Sequence, residues 1–301
     1  MAFTEIIKNT KIDFVGQRRV AFIISTVLVL LGLVGFVMVS MGKANMSVDF
    51  TGGTNLHIKF DRIIPTADLR NALSAGGLKD IQIQRISGTR EFIIKTKMSD
   101  SKDERTQDRV SRSLTTNLQA KFEILGANMV EPSVGESLKR NAIIAIVLAL
   151  VCIIIYIAWR FTFIFGIAAT IATLHDVLVL LGVFYLLGRE MNILFITALL
   201  TTAGYSLTDT VVVFDRIREN RAKMKSREDF GDIINASINE VLSRTIITSV
   251  TTLLAIGAIL VLGGEVLFDF SLALFIGVLI GTYSSVFVAS PLIFLWRSKA
   301  V

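Results

Sequence analysis

A carboxylate stands inside an apolar stretch of this sequence: Asp209, within the run from Ile193 to Phe214. A charged side chain at the centre of a bilayer costs about 2.5–3.5 kcal/mol on membrane-insertion scales, so such residues usually serve an ion or proton pathway or pair with a buried cation. The alternative is an aspartate at a water-filled helix end that only neutralises an arginine. Three hydroxyl side chains precede or follow it closely, Ser206, Thr208 and Thr210, and these can hold water that carries a proton.

Arg244 is the cation best placed to meet this carboxylate. Arg244 stands at the start of the next apolar run. At a rise of 1.5 Å per helical residue, Asp209 lies about 7–12 Å inside the end of its own run that faces the same side of the membrane. A long arginine side chain can reach several ångströms along a helix. His175 and Asp176 lie deeper, near the middle of another apolar run. They can extend a proton relay, or His175 can simply be hydrogen-bonded within a helix bundle.

Composition indicates a membrane protein. The chain has 301 residues, of which 52% are hydrophobic and 19% are charged, whereas a soluble domain has about 25% charged residues. Six apolar runs approach or exceed the length needed to cross a bilayer, about 20 residues. The first is too long for a signal peptide, and five others follow it. The runs are Val20–Met41, Ala142–Trp159, Phe163–Leu187, Ile193–Phe214, Ile246–Leu262 and Phe270–Trp296.

The basic residues predict which way the chain is inserted. They cluster before the first run, in residues 1–19, and between the fourth and fifth runs, in residues 215–243. By the positive-inside rule both segments are cytoplasmic, and six spans then place both termini in the cytoplasm. The one cysteine, Cys152, lies in an apolar run, so no intrachain disulfide can form. The two histidines, with no paired cysteines, do not suggest a zinc site.

A polar segment separates the first and second runs and has the pattern of a small α+β domain. Alternating apolar residues predict strands and helical spacing predicts helices, in the order β-α-β-β-α-β, which is the ferredoxin-like pattern. A turn at Ser87–Arg90 joins the middle two strands. The predicted elements are Asn55–Phe60, Thr66–Leu78, Ile81–Ile86, Phe92–Lys95, Ser101–Phe122 and Ile124–Val134.

A glycine-rich turn connects the first apolar run to this domain. Asp49, Gly52 and Gly53 lie in it, and paired glycines permit positive φ angles and close backbone approach. A phosphate-binding loop is disfavoured because no Gly-Lys-Ser/Thr and no helix follow. A structural turn at the membrane exit is one interpretation, and a hinge on which the domain moves is the other.

These features together predict an α-helical polytopic membrane protein with six transmembrane helices and a ferredoxin-like α+β extracytoplasmic domain between the first and second. Residues 1–19 form the cytoplasmic amino-terminal segment, 20–41 the first transmembrane helix and 42–140 the extracytoplasmic domain. Residues 141–301 form a five-helix transmembrane domain whose basic cytoplasmic loop is 215–243.

Several motifs carry a resemblance to a known family. They are Asp49–Thr54, Gly204–Asn220, Ser243–Arg244–Thr245 with Thr248–Thr252, and Gly281–Ser285 with Ala289–Ser290–Pro291. Nearly the whole chain resembles the SecD/SecF family of bacterial protein-export membrane proteins, within the resistance-nodulation-division superfamily. The resemblance lies in these motifs, in their order and in the sizes of the loops between them.

The resemblance implies a function and partners. It implies a non-enzymatic subunit of the bacterial cytoplasmic (inner) membrane that works with SecD and the Sec translocon channel. The complex would pull unfolded exported polypeptide outward at the expense of the proton-motive force. Protons are then the coupling ion, with no cofactor, metal or nucleic acid. Asp209 and Arg244 match the family's coupling residues, and a further acidic residue belongs to SecD.

Three other classes of protein are weighed against this one. A lipid or drug exporter of the same superfamily usually has a much larger external domain. An intramembrane aspartyl protease needs two aspartates, and Asp176 and Asp209 lack the sequence settings of that family. A purely structural subunit needs no carboxyl at position 209, so substitution there separates it from a proton-coupled transporter.

Overall fold

The computed structural model describes residues 10–78, 81–86, 88–97, 106–118, 120–223 and 229–298. Within these residues six helical segments are long and apolar enough to cross a membrane. The first five are α1 (Arg18–Ser40), α5 (Pro132–Arg160), α6 (Phe163–Leu186), α7 (Ile193–Ala222) and α8 (Phe230–Leu262). The sixth combines α9 (Gly264–Ser284), a π-helical turn (Ser285–Ala289) and α10 (Ser290–Ser298).

The six spans predicted from the apolar runs are confirmed, but their helices extend beyond the apolar residues. The second begins at Pro132, ten residues before the run at Ala142, because proline is favoured in the first turn of a helix and no glycine or proline breaks the helix between Gly135 and the run. The side chain of Asn192 caps α7, its Oδ1 accepting from the Phe195 amide at 2.8 Å.

The polar segment forms the predicted small domain. Its elements are a short helix α2 (Val48–Thr51), then β1 (Gly53–Phe60), α3 (Thr66–Ala75), β2 (Gln82–Arg85), β3 (Glu91–Lys97), α4 (Thr106–Leu118) and β4 (Phe122–Val130). The sheet order is β2-β3-β1-β4 with every pair antiparallel. This is the ferredoxin-like arrangement, so the predicted element order is confirmed. Ser87, Gln119 and residues 101–105 of the predicted elements lie outside the described residues.

One face of this sheet carries the domain core. Leu56, Ile58 and Ile94 from the strands pack against Leu69 and Leu114 from the helices, and all five are fully buried. They alternate with half-buried or exposed residues along the strands, as expected when helices cover only one face of an antiparallel sheet. His57 lies on the open face and contacts Glu91 at 3.0 Å.

Small residues set the spacing of the membrane helices. A Cβ at Gly182 of α6 would lie 2.7 Å from the backbone of Gly32 of α1, so these two helices touch through their glycines. Gly277 and Gly281 of α9 lie in the same way against Thr202 and Ser206 of α7. Such close approach is typical of helix packing in membranes. It brings α9 directly against the helix that carries Asp209.

The segment before α1 is attached to α8. Two asparagines of α8 hold its backbone: the amide of Val15 donates to Asn235 Oδ1 at 3.0 Å, and Asn239 exchanges two hydrogen bonds with Ile12. Phe14 is buried in the bundle, its ring 5.5 Å from that of Phe287 in the π-helical turn.

Asp13 adds an exposed contact to this attachment. Its Oδ1 accepts from the amide of Gly16 at 2.7 Å and from Asn235 at 2.8 Å. The Gly16 hydrogen bond, followed by that from Asn235, lowers the pKa of Asp13 below its ordinary 3.8. A carboxyl with a lowered pKa stabilises the folded form above the ordinary value and loses that effect as the pH falls through the lowered one. The contact is therefore intact at neutral pH.

Candidate functional site

Asp209 lies on the buried face of α7. Its side chain is 7% exposed, and Oδ2 is buried without a hydrogen-bond partner among the described residues. Ser206 and Thr210 are buried on either side of it, whereas Thr208 is exposed and donates to the Gly204 carbonyl of its own helix. A carboxyl buried in this way without a partner is costly in free energy. The site therefore has the features of a functional carboxyl, since no described residue hydrogen-bonds its buried Oδ2.

Arg244 lies on the neighbouring helix α8, close enough for its charge to act on Asp209. However, the described residues show no ion pair between them: no nitrogen of Arg244 comes within 4.0 Å of a carboxylate oxygen. The prediction that the two residues occupy adjacent helices at similar depth agrees with this geometry. Their role in coupling stays a prediction.

A second buried carboxylate, Asp176, has the opposite surroundings. Its Oδ1 lies 2.9 Å from His175 Nδ1, and its Oδ2 accepts hydrogen bonds from Ser206 and from Ser284, the latter at 2.7 Å. The group ties α6 to α7 and α9. Ser206 is three residues from Asp209, one helical turn away. The two aspartates look alike in the sequence but differ in their hydrogen bonds. Both oxygens of Asp176 have partners, whereas Oδ2 of Asp209, in the adjacent layer, has none among the described residues.

One member of this polar cluster, Ser284, was not predicted as a site residue. Ser284 comes from a helix 108 residues away from Asp176 in sequence, and the sequence shows only a helix rich in small residues there. His175 was predicted, and its Nε2 is buried with no partner in the described part of the chain. The Asp176 cluster and Asp209 therefore lie in adjacent layers inside the bundle, one helical turn apart along α7.

The predicted hinge turn packs closely against the start of α5. Gly52 has φ +75° and ψ 152°, a conformation that essentially only glycine adopts. A Cβ on Gly52 would lie 2.8 Å from the backbone of Pro132, and one on Gly135 would lie 3.0 Å from Phe50. Asp49 lies in the first turn of α2, which Ser47 caps, and Gly53 opens β1. The close packing explains Gly52 and Gly135, and hinge motion stays a prediction.

Replacing Gly52 by alanine is expected to lower the free energy of unfolding by about 2–3 kcal/mol, because it adds a backbone strain and an overlap with Pro132. Gly42→Ala is the control. Gly42 also has a positive φ, +69°, but no heavy atom lies within 4 Å of its added Cβ, so about 1 kcal/mol is expected. Denaturation of the two variants in mixed micelles measures the difference. Equal losses would contradict the assigned contact with Pro132.

The small domain is joined to the membrane bundle by a buried ion pair that the sequence did not indicate. Lys95 Nζ of β3 lies 2.8 Å from Glu190 Oε2, and their side chains are only 12% and 5% exposed. Glu190 follows α6, and its neighbour Arg189 pairs with Asp269 of α9. Asn45, just after α1, donates to the Gly188 carbonyl at 3.1 Å. The sheet is therefore held to the α6–α7 connection by charges.

With this arrangement established, comparison with known proteins identifies the family. Residues 110–299 match the family model described as protein export membrane protein SecD/SecF, C-terminal. The chain belongs to the SecD/SecF protein-export family. It is 48% identical over 293 residues to the protein translocase subunit SecF of Thermodesulfovibrio yellowstonii, covering 97% of this chain and 96% of that relative.

A longer relative contains this fold as one part. The chain is 39% identical over 297 residues to the protein translocase subunit SecDF of Thermus thermophilus, covering 97% of this chain but 39% of the relative. The crystal structure of SecDF from that organism, described as a translocon-associated membrane protein, superposes with a TM-score of 0.81 at 37% identity. The match covers 99% of this chain and 40% of the SecDF chain. The SecD/SecF resemblance and the fold class predicted from the sequence are confirmed.

Proposed function

We propose that this chain is a subunit of the Sec accessory complex that, with SecD, uses the proton-motive force to assist polypeptide translocation across the cytoplasmic membrane. Its relatives are protein translocase subunits, which supports the transport role. The observation that carries the proton-coupled part is Asp209. It is a carboxyl buried in a membrane helix, without a direct partner in the described residues, beside an arginine whose charge reaches it.

Proton binding at Asp209 would depend on the position of Arg244. Burial favours the neutral carboxyl, while a nearby guanidinium favours the carboxylate. A shift of α8 relative to α7 that brings Arg244 closer would release a proton, and its withdrawal would favour uptake. One charge crossing 100 mV supplies about 2.3 kcal/mol, which exceeds the 1.36 kcal/mol that corresponds to a tenfold change in proton affinity.

The hydroxyl and imidazole groups near Asp209 have distinct parts in this proposal. Ser206 donates to Asp176 and lies one helical turn before Asp209, so it can link the two carboxyl groups in a relay. His175 has a free Nε2 within the described chain and can extend a relay beyond Asp176. Thr208 is exposed, and its hydroxyl donates to the Gly204 carbonyl of its own helix. Its oxygen can therefore act only as a hydrogen-bond acceptor, at the surface of the bundle. Thr210 follows Asp209 on the buried face.

The longer relative supports the proposed partners. In SecDF the region matched by this chain is 40% of the polypeptide, so the remainder supplies what a separate SecD would supply here. The translocon channel and an unfolded exported polypeptide are the further partners in this proposal, since that relative is described as translocon-associated. The turn containing Asp49, Gly52 and Gly53 would be the joint through which motion reaches the polypeptide.

Asp209→Asn is the test of proton coupling. The amide keeps the shape of the side chain but cannot exchange a proton, so export that depends on the proton-motive force should be lost. ATP-driven export should continue. Arg244→Lys keeps the charge but not the planar guanidinium and should lose the same component. Both variants should assemble at normal levels. The measurement is translocation of a preprotein into inverted vesicles, with and without an uncoupler.

Asp215→Asn is the matched control for this test. Asp215 lies on the same helix but is 40% exposed and pairs with Arg160 at 2.8 Å, and exposed pairs contribute little to stability. This variant should retain the proton-dependent component. Full proton-dependent export by Asp209→Asn would refute the coupling role and leave Asp209 as a residue of packing or insertion.

We further propose that the protein lies in the bacterial inner membrane with both termini in the cytoplasm and the sheet domain outside, as the basic segments favour. In a Cys152→Ser background, single cysteines at Lys121 and Ala222 test this. Both positions are exposed, one beside β4 and one at the end of α7. A membrane-impermeant maleimide should label Lys121→Cys from outside intact cells and Ala222→Cys only after disruption. Labelling of both from one side would contradict the arrangement.

A further inference from the structure

Two threonines in the membrane helices, Thr202 and Thr245, depart from the behaviour of most others, and Thr245 is the one beside Arg244. Threonine hydroxyls in these helices generally donate to the carbonyl four residues earlier, which satisfies them inside the bundle. Thr245 of α8 does not. Its Oγ1 is buried, the residue is 2% exposed, and no partner for it exists among the described residues. The threonines that do bond back in this way are Thr26, Thr170, Thr173, Thr197, Thr201, Thr208, Thr248, Thr251, Thr252 and Thr282.

The pairing of α7 with α8 places this hydroxyl beside Asp209. Tyr205 Oη contacts Ser249 Oγ at 3.4 Å, and Asn220 Nδ2 contacts Ser237 Oγ at 3.1 Å. Residue numbers therefore rise along α7 as they fall along α8, so the helices are antiparallel. One turn beyond Tyr205 on α7 is Asp209, and one turn before Ser249 on α8 is Thr245. The same layer thus contains both residues, each on the buried face of its helix.

Both polar groups in this layer are unpaired. Asp209 Oδ2 and Thr245 Oγ1 are buried and lack partners in the described residues, and each such group costs free energy that a hydrogen bond would recover. Thr245 is also the residue next to Arg244, but it faces the bundle while Arg244 is exposed. Adjacent residues of α8 therefore present a charge and a hydroxyl on different sides of the helix.

We propose that Thr245 is a positioning residue of the Asp209 site: its hydroxyl hydrogen-bonds the Asp209 carboxyl in the state in which Arg244 is withdrawn. The inference rests on the proposed proton-coupled function and deepens it. A small rotation of α8 exchanges the two partners, so Asp209 is held by Arg244 as carboxylate and by Thr245 as neutral acid. The described residues form neither contact: Asp209 Oδ2 and Thr245 Oγ1 are both without a hydrogen-bond partner.

The test compares three variants of the full chain assembled with its partner in lipid. Thr245→Val removes the hydroxyl at nearly constant shape, and Thr245→Ser restores it. Thr252→Val is the control, since that hydroxyl is satisfied by the Thr248 carbonyl. Infrared difference spectroscopy measures the carbonyl stretch of protonated Asp209, identified by its absence in Asp209→Asn. Export into inverted vesicles is measured in parallel.

In Thr245→Val the Asp209 carbonyl band should shift to higher frequency, because it loses a hydrogen bond. The proton-dependent part of export should fall about tenfold, the effect of one hydrogen bond of about 1.4 kcal/mol. Thr245→Ser should restore both, and Thr252→Val should change neither. An unshifted band in Thr245→Val overturns the inference, as does an equal loss in Thr252→Val. The band reports the contact between Thr245 and Asp209 independently of export. A shifted band in Thr245→Val together with normal export by Asp209→Asn would therefore refute only the proposed function.

Discussion

Replacing Asp176 by leucine should destabilise the protein strongly, whereas the same substitution at Asp209 should not. In Asp176→Leu the hydroxyls of Ser206 and Ser284 and Nδ1 of His175 lose their shared acceptor inside the bundle. Buried groups left without a partner cost about 1–3 kcal/mol each, so the free energy of unfolding should fall by about 3 kcal/mol or more. Asp209→Leu removes a carboxyl with an unpaired oxygen and should leave stability unchanged or raise it.

Denaturation in mixed micelles measures the stability of the two variants, and export measures their function. Asp209→Leu should be folded and deficient in proton-dependent export, while Asp176→Leu should lose both stability and yield. If Asp176→Leu is as stable as the unchanged protein, its three hydrogen bonds do not hold the bundle together. Asp176 would then become the first candidate for the proton-binding carboxyl.

The different hydrogen-bonding surroundings of these two aspartates could not be predicted from the sequence. Each follows apolar and hydroxylated residues within a predicted span, and each was a candidate for the site on that basis. What distinguishes them is Ser284, which approaches Asp176 because Gly281 lets α9 pack directly on Ser206 of α7. Which helices touch is a property of the assembled bundle, and local periodicity does not report it.

The parts of the fold that depend on local pattern were predictable. The six spans follow from the length of the apolar runs, and the strands of the sheet follow from alternating residues such as those at Leu56 and Ile58. The start of α5 at Pro132 and the attachment of residues 12–15 to α8 were not predicted. Residues 12–15 are held by Asn235 and Asn239 of α8, and the start of α5 packs against Gly52 and Phe50, so in both cases the contacts join residues far apart in the sequence.

The junction between the sheet domain and the membrane bundle shows the same limit. Lys95 looks like an outward-facing residue of a strand, and Glu190 like part of a short polar turn. Only the folded chain shows that they meet at 2.8 Å and bury each other. This junction is important for the proposed function, because a domain that transmits motion must be held to the bundle by contacts that can be broken.

Lys95→Met is therefore expected to destabilise the docked arrangement by about 3–5 kcal/mol, because it leaves Glu190 buried without its cation. Glu190→Leu should have a similar effect on Lys95, while the double variant should recover most of the loss, since a buried ion pair can be replaced by apolar residues at little cost. A double-mutant cycle on the free energy of unfolding measures the coupling.

Lys59→Met is the control. Its contact with Glu91, at 3.9 Å, lies on the open face of the sheet, and Lys59 is 52% exposed, so a loss of less than about 1 kcal/mol is expected. Additive losses in the double variant would show that the pair does not hold the sheet domain to the α6–α7 connection. Strong coupling would identify the contact that must break if the domain moves on the turn at Gly52.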